Sequence, residues 1–252
     1  MDGNRPWYRR PLPLIGLILG LVLVSALGYV GYNVAKYMSL IKSGKLPRGL
    51  SLQQMTYYSD AQDIFSKMKP SSELIALVES GDNPTLGNPK AKVRIVEFVD
   101  YDCSFCQRTA PAVREFMRKH PDDAYLILRD FPIVELHTTA KDAAVAARCA
   151  FAQSREKYWV FHDMLYENLS ARSPEAYSLM ARRAGLDMQE FNQCVEAKRT
   201  LPEIDKSYSH VIQAGGRGTP TFFFNGRRVD GAMDADHLEA VFLAASQLVQ
   251  EN

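Results

Sequence analysis

Cys103 and Cys106 form a Cys-x-x-Cys arrangement, and this spacing is the clearest chemical signal in the 252-residue chain. The residues at 94–99 that precede them are rich in β-branched and aromatic side chains, which is typical of a buried strand. The pattern predicts that Cys103 begins a helix and that Cys106 lies one turn later. Unpaired backbone N–H groups and the helix dipole at that position favour a thiolate. The pair is therefore predicted to be a redox dithiol.

Two other uses of the pair are weaker interpretations. A zinc site needs further ligands at similar spacing, but Cys149 and Cys194 stand alone and none of the five histidines is paired. A purely structural bridge within one helical turn closes too short a loop to gain much stability. Glu97 supports redox chemistry, because a carboxylate on an apolar strand is costly without a purpose. Pro111 is expected to kink the helix that follows the cysteines.

With these residues the chain resembles the thioredoxin superfamily, and within it the DsbA-like thiol oxidoreductases. The resemblance rests on Glu97, Cys103, Cys106, Pro111 and the Gly-Thr-Pro-Thr-Phe run at 218–222, and it extends from about Asn83 to the C-terminus. It implies an α/β thioredoxin fold with an inserted helical subdomain. Oxidases of this group usually carry proline directly after the first cysteine, whereas this chain has Ser-Phe between the two. The resemblance therefore leaves the redox potential open.

The two cysteines and Glu97 receive different predicted roles. Cys103, at the helix start, is expected to be the more exposed and to react with substrate thiolates. Cys106 is expected to be the resolving thiol, which closes or releases the mixed disulfide. The resemblance implies that Glu97 is a buried proton acceptor beneath Cys106. A salt bridge from Glu97 to a lysine or arginine is the alternative.

Thr219 and Pro220 are predicted to form the second half of the site. An X-Pro bond is cis in only about 5% of cases in folded proteins, but the resemblance implies a cis bond here. Such a bond would place the Thr219 backbone beside Cys103, where it can pair with a bound peptide as an added strand. The alternative is simple entry into an edge strand.

Cys149 and Cys194 lie on apolar stretches with helical spacing. They are either free core residues or, in an oxidising compartment, a structural disulfide between two helices. Some DsbA-like proteins carry such a bridge, and we expect one here. We assign no chemistry to the histidines, which are His120, His137, His162, His210 and His237. We expect neither a metal nor another cofactor.

Residues 12–32 carry no charge and are long enough to cross a bilayer as a helix. We predict a cytoplasmic tail at 1–11 and an uncleaved transmembrane anchor at 12–33. A cleaved signal peptide with Ala26-Leu27-Gly28 as its cleavage site is the alternative. Basic residues are nearly balanced across the span. The orientation is therefore chosen from function, because disulfide chemistry requires the periplasmic side.

The remaining segments complete the predicted domain organisation. Residues 34–83 are expected to form a partly helical juxtamembrane stalk, with helices at 59–68 and 71–79 divided by Pro70; it is either solvated or dimerising. The thioredoxin-like domain is expected at 84–252. It should contain a second strand at 124–129, parallel to the first, a helical insertion at 138–209, a hairpin at Asn225-Gly226 and a closing helix capped by Asp234.

These features predict a single-pass, membrane-anchored thiol–disulfide oxidoreductase of the bacterial inner membrane that donates a disulfide to exported proteins. The alternatives are a disulfide reductase or isomerase, which Thr219 before the proline keeps open, and a non-catalytic chaperone-like module. The expected partners are exported thiol-containing proteins and a membrane redox protein. The net charge is +1 with no basic run, so we expect no nucleic-acid partner.

Overall fold

The computed structural model describes residues 11–42, 49–170 and 172–250. The chain divides into two compact units, Met1–Met55 and Thr56–Asn252. In the first unit, helix α1 (Pro11–Lys42) contains the predicted apolar span. Its segment Ile15–Lys36 is long and apolar enough to cross a membrane, and none of its most apolar stretch is buried. Most of the predicted tail lies outside the described residues.

The second unit is built on one mixed sheet of five strands in the order β1-β3-β2-β4-β5. Its elements, in chain order, are α2 (Leu52–Lys67, which begins in the first unit), α3 (Ser72–Glu79), β1 (Thr85–Gly87), β2 (Val93–Val99), α4 (Ser104–Lys119), β3 (Ala124–Asp130), α5 (Ala140–Gln153), α6 (Arg155–Glu167), α7 (Pro174–Arg183), α8 (Met188–Glu196), α9 (Leu201–Gln213), β4 (Thr221–Phe224), β5 (Arg227–Asp230) and α10 (Ala235–Gln250).

The central strands β2 and β3 are parallel and are joined through α4, as predicted. Strand β2 is buried on both faces, so its side chains read as a nearly continuous apolar run. Val96 and Phe98 pack into a cluster with Ile127 and Phe223. Ile95 and Glu97 point to the opposite face because side chains alternate along a strand.

The predicted hairpin and helix cap are both present. Asn225 and Gly226 adopt left-handed backbone angles, with φ of 47° and 79°, and connect β4 to β5. This conformation matches the two-residue turn that Asn-Gly favours. Asp234 caps α10 by accepting a hydrogen bond from the His237 N–H at 2.8 Å.

Helices α5 to α8 and most of α9 occupy the predicted insertion at 138–209. The alanine-rich α5 is buried along nearly its whole length. Cys149 on α5 and Cys194 on α8 form a disulfide with a Cα–Cα distance of 5.8 Å. The predicted bridge is therefore present, and it joins two helices of the insertion.

The predicted stalk differs from the structure. Helices α2 and α3 are present on either side of Pro70, but residues from 56 onward belong to the second unit. Val78 is fully buried in the cluster beneath the sheet, and the Phe65 ring lies 6.3 Å from that of Phe224. A solvated stalk is thus wrong for residues 56–79. The apolar side chains of these two helices recur at helical spacing, and they pack against the sheet instead of facing solvent.

Candidate active site

Cys103 is the N-cap residue of α4, and Cys106 lies in its first turn. The Cys103 N–H donates to the Asp100 carbonyl at 3.2 Å, and its own carbonyl accepts from the Gln107 N–H at 3.0 Å. The first sulfur is therefore fixed at the point where strand β2 has ended and α4 begins. Both thiols are free in this state.

The electrostatics of the two sulfurs differ strongly. The pKa of Cys103 is lowered to about 5, chiefly by a hydrogen bond from the Cys106 thiol. Burial opposes this shift, while Thr219 and the backbone N–H groups of Phe105 and Cys106 add to it. Burial raises the pKa of Cys106 well above its ordinary value, and the neighbouring Cys103 and Glu97 charges raise it further. At neutral pH the pair is thus one thiolate and one thiol.

Cys103 is more accessible than Cys106, as predicted, but the margin is small. Cys103 is 5% exposed and Cys106 is 1% exposed. The reactive sulfur is therefore recessed instead of projecting from the surface. Phe105 between the two cysteines is about half exposed and carries the Arg108 guanidinium above its ring.

Glu97 is buried in β2, opposite Leu128 of β3 and Phe222 of β4. Burial raises its pKa to about 8. Among the described residues it makes no ion pair with lysine or arginine, so the structure does not support the salt-bridge alternative. The Glu97 carboxylate is among the groups that raise the pKa of Cys106.

The Thr219–Pro220 peptide bond is cis, in agreement with the expectation from the resemblance. The Thr219 carbonyl oxygen lies 3.4 Å from the Cys103 Sγ. The Thr221 hydroxyl donates to the Gly218 carbonyl at 2.7 Å and closes the loop behind this contact. The structure therefore brings Cys103, Cys106, Glu97, Thr219 and Pro220 into one site.

Asp100 and His137 also belong to this site, although sequence reasoning assigned no role to either residue. The Asp100 carboxylate accepts hydrogen bonds from the Ile133 N–H and from His137 Nδ1, each at 2.8 Å. Burial alone would lower the pKa of His137, but Asp100 and the Cys103 thiolate raise it above its ordinary value. The topology could have indicated both residues. Asp100 follows β2 and His137 follows β3, and segments that follow neighbouring parallel strands meet at the carboxyl edge of the sheet.

Arg172, from the helical insertion, fixes the residues just before the dithiol. It binds the Asp102 carboxylate and donates to the carbonyls of Tyr101 and Leu165 at 2.6 and 2.9 Å. Thr139 donates to the other oxygen of Asp102 at 2.5 Å. The insertion thus holds the turn that presents Cys103.

Residues 79–242 match the sequence model of a thioredoxin family. The chain belongs to this family. It is a DsbA-like member of the thioredoxin superfamily, because the dithiol, the cis-proline loop and the helical insertion occur together.

Solved structures with this fold include the thiol-disulfide exchange protein alpha-DsbA2 from Wolbachia pipientis, which is 23% identical with a TM-score of 0.60. That match covers 78% of this chain and 97% of the other. A thioredoxin-like oxidoreductase from Silicibacter pomeroyi DSS-3 is 30% identical with a TM-score of 0.58, over 68% of this chain and 96% of the other. Family membership and the unequal thiols described above thus identify a thioredoxin-like domain that carries a redox dithiol.

A sequence relative of this chain is named as a transporter. The Na(+)/H(+) antiporter NhaA 3 of Salinispora tropica is 30% identical over 69% of this chain. The match spans only 26% of the antiporter's length. This chain therefore spans about a quarter of the length of that relative, and the similarity concerns only that part of it.

Proposed function

We propose that this chain is a membrane-anchored thiol oxidase that donates the Cys103–Cys106 disulfide to exported proteins on the periplasmic side of the bacterial inner membrane. The observation that carries the proposal is the contrast between the sulfurs, with the pKa of Cys103 at about 5 and that of Cys106 well above its ordinary value. Stabilising the Cys103 thiolate stabilises the reduced enzyme, and this makes the disulfide form the stronger oxidant.

The reaction proceeds in two exchanges. A substrate thiolate attacks Cys103 Sγ, the Cys103–Cys106 bond breaks, and a mixed disulfide forms while Cys106 leaves as a thiolate. A second substrate thiolate then attacks the substrate sulfur of the mixed disulfide and displaces Cys103 as a thiolate. The substrate has lost two electrons and the enzyme dithiol has gained them.

Glu97 supplies the proton that the first exchange requires. With a pKa of about 8 it is mostly protonated at neutral pH. It can therefore protonate the departing Cys106 sulfur and recover the proton when the disulfide is formed again. A salt-bridged glutamate would be ionised throughout and could not serve as this acid.

Thr219 and Pro220 hold the substrate beside the reactive sulfur. The Thr219 backbone borders Cys103, where an extended peptide can pair with it as an added strand. The half-exposed Phe105 ring and the largely exposed Leu136 side chain offer apolar contacts near this site. Such a surface suits unfolded segments whose apolar residues are still accessible.

Helix α1 supplies the anchor, and disulfide chemistry sets the orientation, with the N-terminus in the cytoplasm. A membrane redox protein reoxidises the dithiol after each turnover. Self-association through residues 34–83 remains a prediction.

Protease added to spheroplasts should reach the catalytic domain, and the mature protein should retain its N-terminus. A soluble periplasmic form that begins near Tyr29 would show that the segment is a signal peptide.

The reduction potential of Cys103–Cys106 tests the direction of electron flow. We expect a value closer to the about −120 mV of DsbA than to the about −270 mV of thioredoxin. Thr219 before the cis-proline favours the second candidate, a reductase or isomerase kept reduced by a membrane donor. A potential near the thioredoxin value would replace the proposed oxidase by that candidate.

A further inference from the structure

Two exposed arginines, Arg108 and Arg217, approach the reactive sulfur from separate segments of the chain. Arg108 lies on α4, and Arg217 lies in the loop that leads to the cis-proline. Neither forms an ion pair with a carboxylate in the part of the chain that the structure describes. Two positive charges near Cys103 are therefore free to bind a partner molecule.

Arg108 is held close to the start of α4 by an aromatic ring. Its guanidinium carbon lies 4.6 Å from the centroid of the Phe105 ring, which stands between the two cysteines. The Arg108 Cα is about 7.5 Å along the helix axis from Cys103, because five residues separate them. Stacking on Phe105 directs the guanidinium back toward the helix start. The neighbours one turn away offer no carboxylate, since they are Ser104, Phe105, Pro111 and Ala112.

Arg217 precedes the backbone that borders the sulfur. The Thr219 carbonyl oxygen lies 3.4 Å from Cys103 Sγ, and the Cα of Arg217, two residues earlier, is within about 7 Å of the Thr219 Cα. The loop is packed tightly on its inner side, because a Cβ at Gly216 would lie only 2.4 Å from Val211 Cγ2 on α9. The Arg217 side chain faces solvent from this fixed loop.

The acidic groups near the site do not neutralise these arginines. Asp102 is bound by Arg172, and Asp234 is occupied as the cap of α10. Glu135 is exposed, but it lies in the loop after β3. Strands β3 and β4 flank β2 on opposite sides, so this loop and the loop of Arg217 border the reactive turn from opposite sides. The side nearest the cis-proline is therefore positively charged.

We propose that Arg108 and Arg217 select substrate segments that carry an acidic residue within two positions of the reacting cysteine. The inference rests on the proposed function, in which an extended peptide pairs with Thr219 and its thiolate attacks Cys103 Sγ. Each residue of an extended peptide advances about 3.3 Å, so such a carboxylate lies within about 7 Å of the sulfur along the strand. Arginine binds carboxylates at this range through paired, charge-assisted hydrogen bonds.

Three peptides that differ only in the residues on both sides of one cysteine test this selectivity. The flanking residues are glutamate, glutamine or lysine. Opening of the disulfide in the full-length oxidised protein in detergent is followed by acid quenching, alkylation and mass spectrometry. Rates are expressed per peptide thiolate, because flanking charges also shift the pKa of the peptide thiol. The glutamate peptide should react about tenfold faster than the lysine peptide, and the difference should shrink at about 1 M salt.

Variants of the two arginines should change the preference in a defined order. Arg108→Gln and Arg217→Gln should each lower the ratio of glutamate to lysine rates about threefold, and the double variant should bring it close to one. Arg108→Lys and Arg217→Lys should retain most of it, because the charge is kept. Replacing both arginines by glutamate should reverse the preference in favour of the lysine peptide. A purely structural role cannot produce this reversal.

Arg182→Gln is the matched control. Arg182 is an exposed arginine in the last turn of α7, and its replacement changes the net charge of the protein equally. It should leave the peptide preference unchanged; an equal loss in this variant would mean that overall charge is responsible. Equal slowing of all three peptides by Arg108→Gln and Arg217→Gln would show that the arginines act on Cys103 and not on the substrate. Either result overturns the proposal, as does a wild-type protein without preference. Failure of the wild-type protein to react with any peptide would instead reject the proposed function, so the two failures are distinguishable.

Discussion

The chain contains two cysteine pairs that use the same chemistry for opposite purposes. Cys103 and Cys106 lie one helical turn apart at a helix N-terminus, and their sulfurs differ strongly in pKa. Cys149 and Cys194 are separated by 45 positions and connect two buried helix faces. The bond between the first two closes a very short loop, whereas the second constrains a long one. The reactivity of the first pair therefore depends on the difference in pKa between its sulfurs and on their position at the helix N-terminus. The stabilisation by the second pair depends on the length of the loop it closes and on its burial.

The largest expected effect separates the two sulfurs of the reactive pair. Cys106→Ala should trap substrates covalently on Cys103, because the resolving thiol is missing. Cys103→Ala should trap almost none, because Cys106 is deeply buried and its raised pKa keeps it a thiol. The measurement is non-reducing electrophoresis of the captured proteins. Equal trapping by the two variants would show that the assigned roles are wrong.

The structural pair should resist conditions that open the reactive pair. Mild reduction should release the Cys103 and Cys106 thiols while the Cys149–Cys194 bridge survives, as thiol alkylation and mass spectrometry would show. Replacing both bridge cysteines by serine should lower the free energy of unfolding by about 2–4 kcal/mol. Disulfide exchange at low temperature should continue. Loss of exchange in a still-folded variant would mean that the insertion bridge takes part in the chemistry.

Glu97 gives the reactive region a stability that depends on pH. Its pKa is about 8 when folded and about 4.3 in an unfolded chain. The unfolded state therefore loses this proton first, and stability falls as pH rises from about 4.3 to about 8. At pH 7 the cost is roughly 4 kcal/mol, since each pKa difference of one corresponds to 1.36 kcal/mol.

Glu97→Gln should remove most of that slope in urea unfolding of the oxidised protein. It should be more stable than wild type at pH 7 and nearly equal at pH 4. Its disulfide exchange should be slower, because the acid that protonates Cys106 is missing. A variant with an unchanged pH slope would show that Glu97 is already ionised at neutral pH in the folded protein.

The sequence predicted the parts of the site that depend on local patterns. Strand alternation, the Cys-x-x-Cys spacing and Asn225-Gly226 each constrain only a few neighbouring residues. The resemblance added Glu97 and the cis bond before Pro220. The contact between Asp100 and His137 could not be predicted in this way, because it depends on where the loop after β3 lies relative to the end of β2. The packing of α2 on the sheet was missed for the same reason. An amphipathic helix that follows a membrane span can bury its apolar face against a second copy or against its own domain, and the sequence does not distinguish the two.

His137 gives the smallest effect, and it tests whether the loop after β3 belongs to the reactive region. Its imidazole is bound to Asp100 at 2.8 Å, and its positive form is favoured partly by the Cys103 thiolate. His137→Gln removes this charge and should raise the pKa of Cys103 by less than one, because a partly exposed charge is screened by solvent. Alkylation of Cys103 by iodoacetamide across the acidic range would measure the shift. His120→Gln breaks a similar contact, with Glu239 at 2.9 Å, away from the thiols. It should leave the Cys103 titration unchanged; equal shifts in both variants would place His137 outside the reactive region.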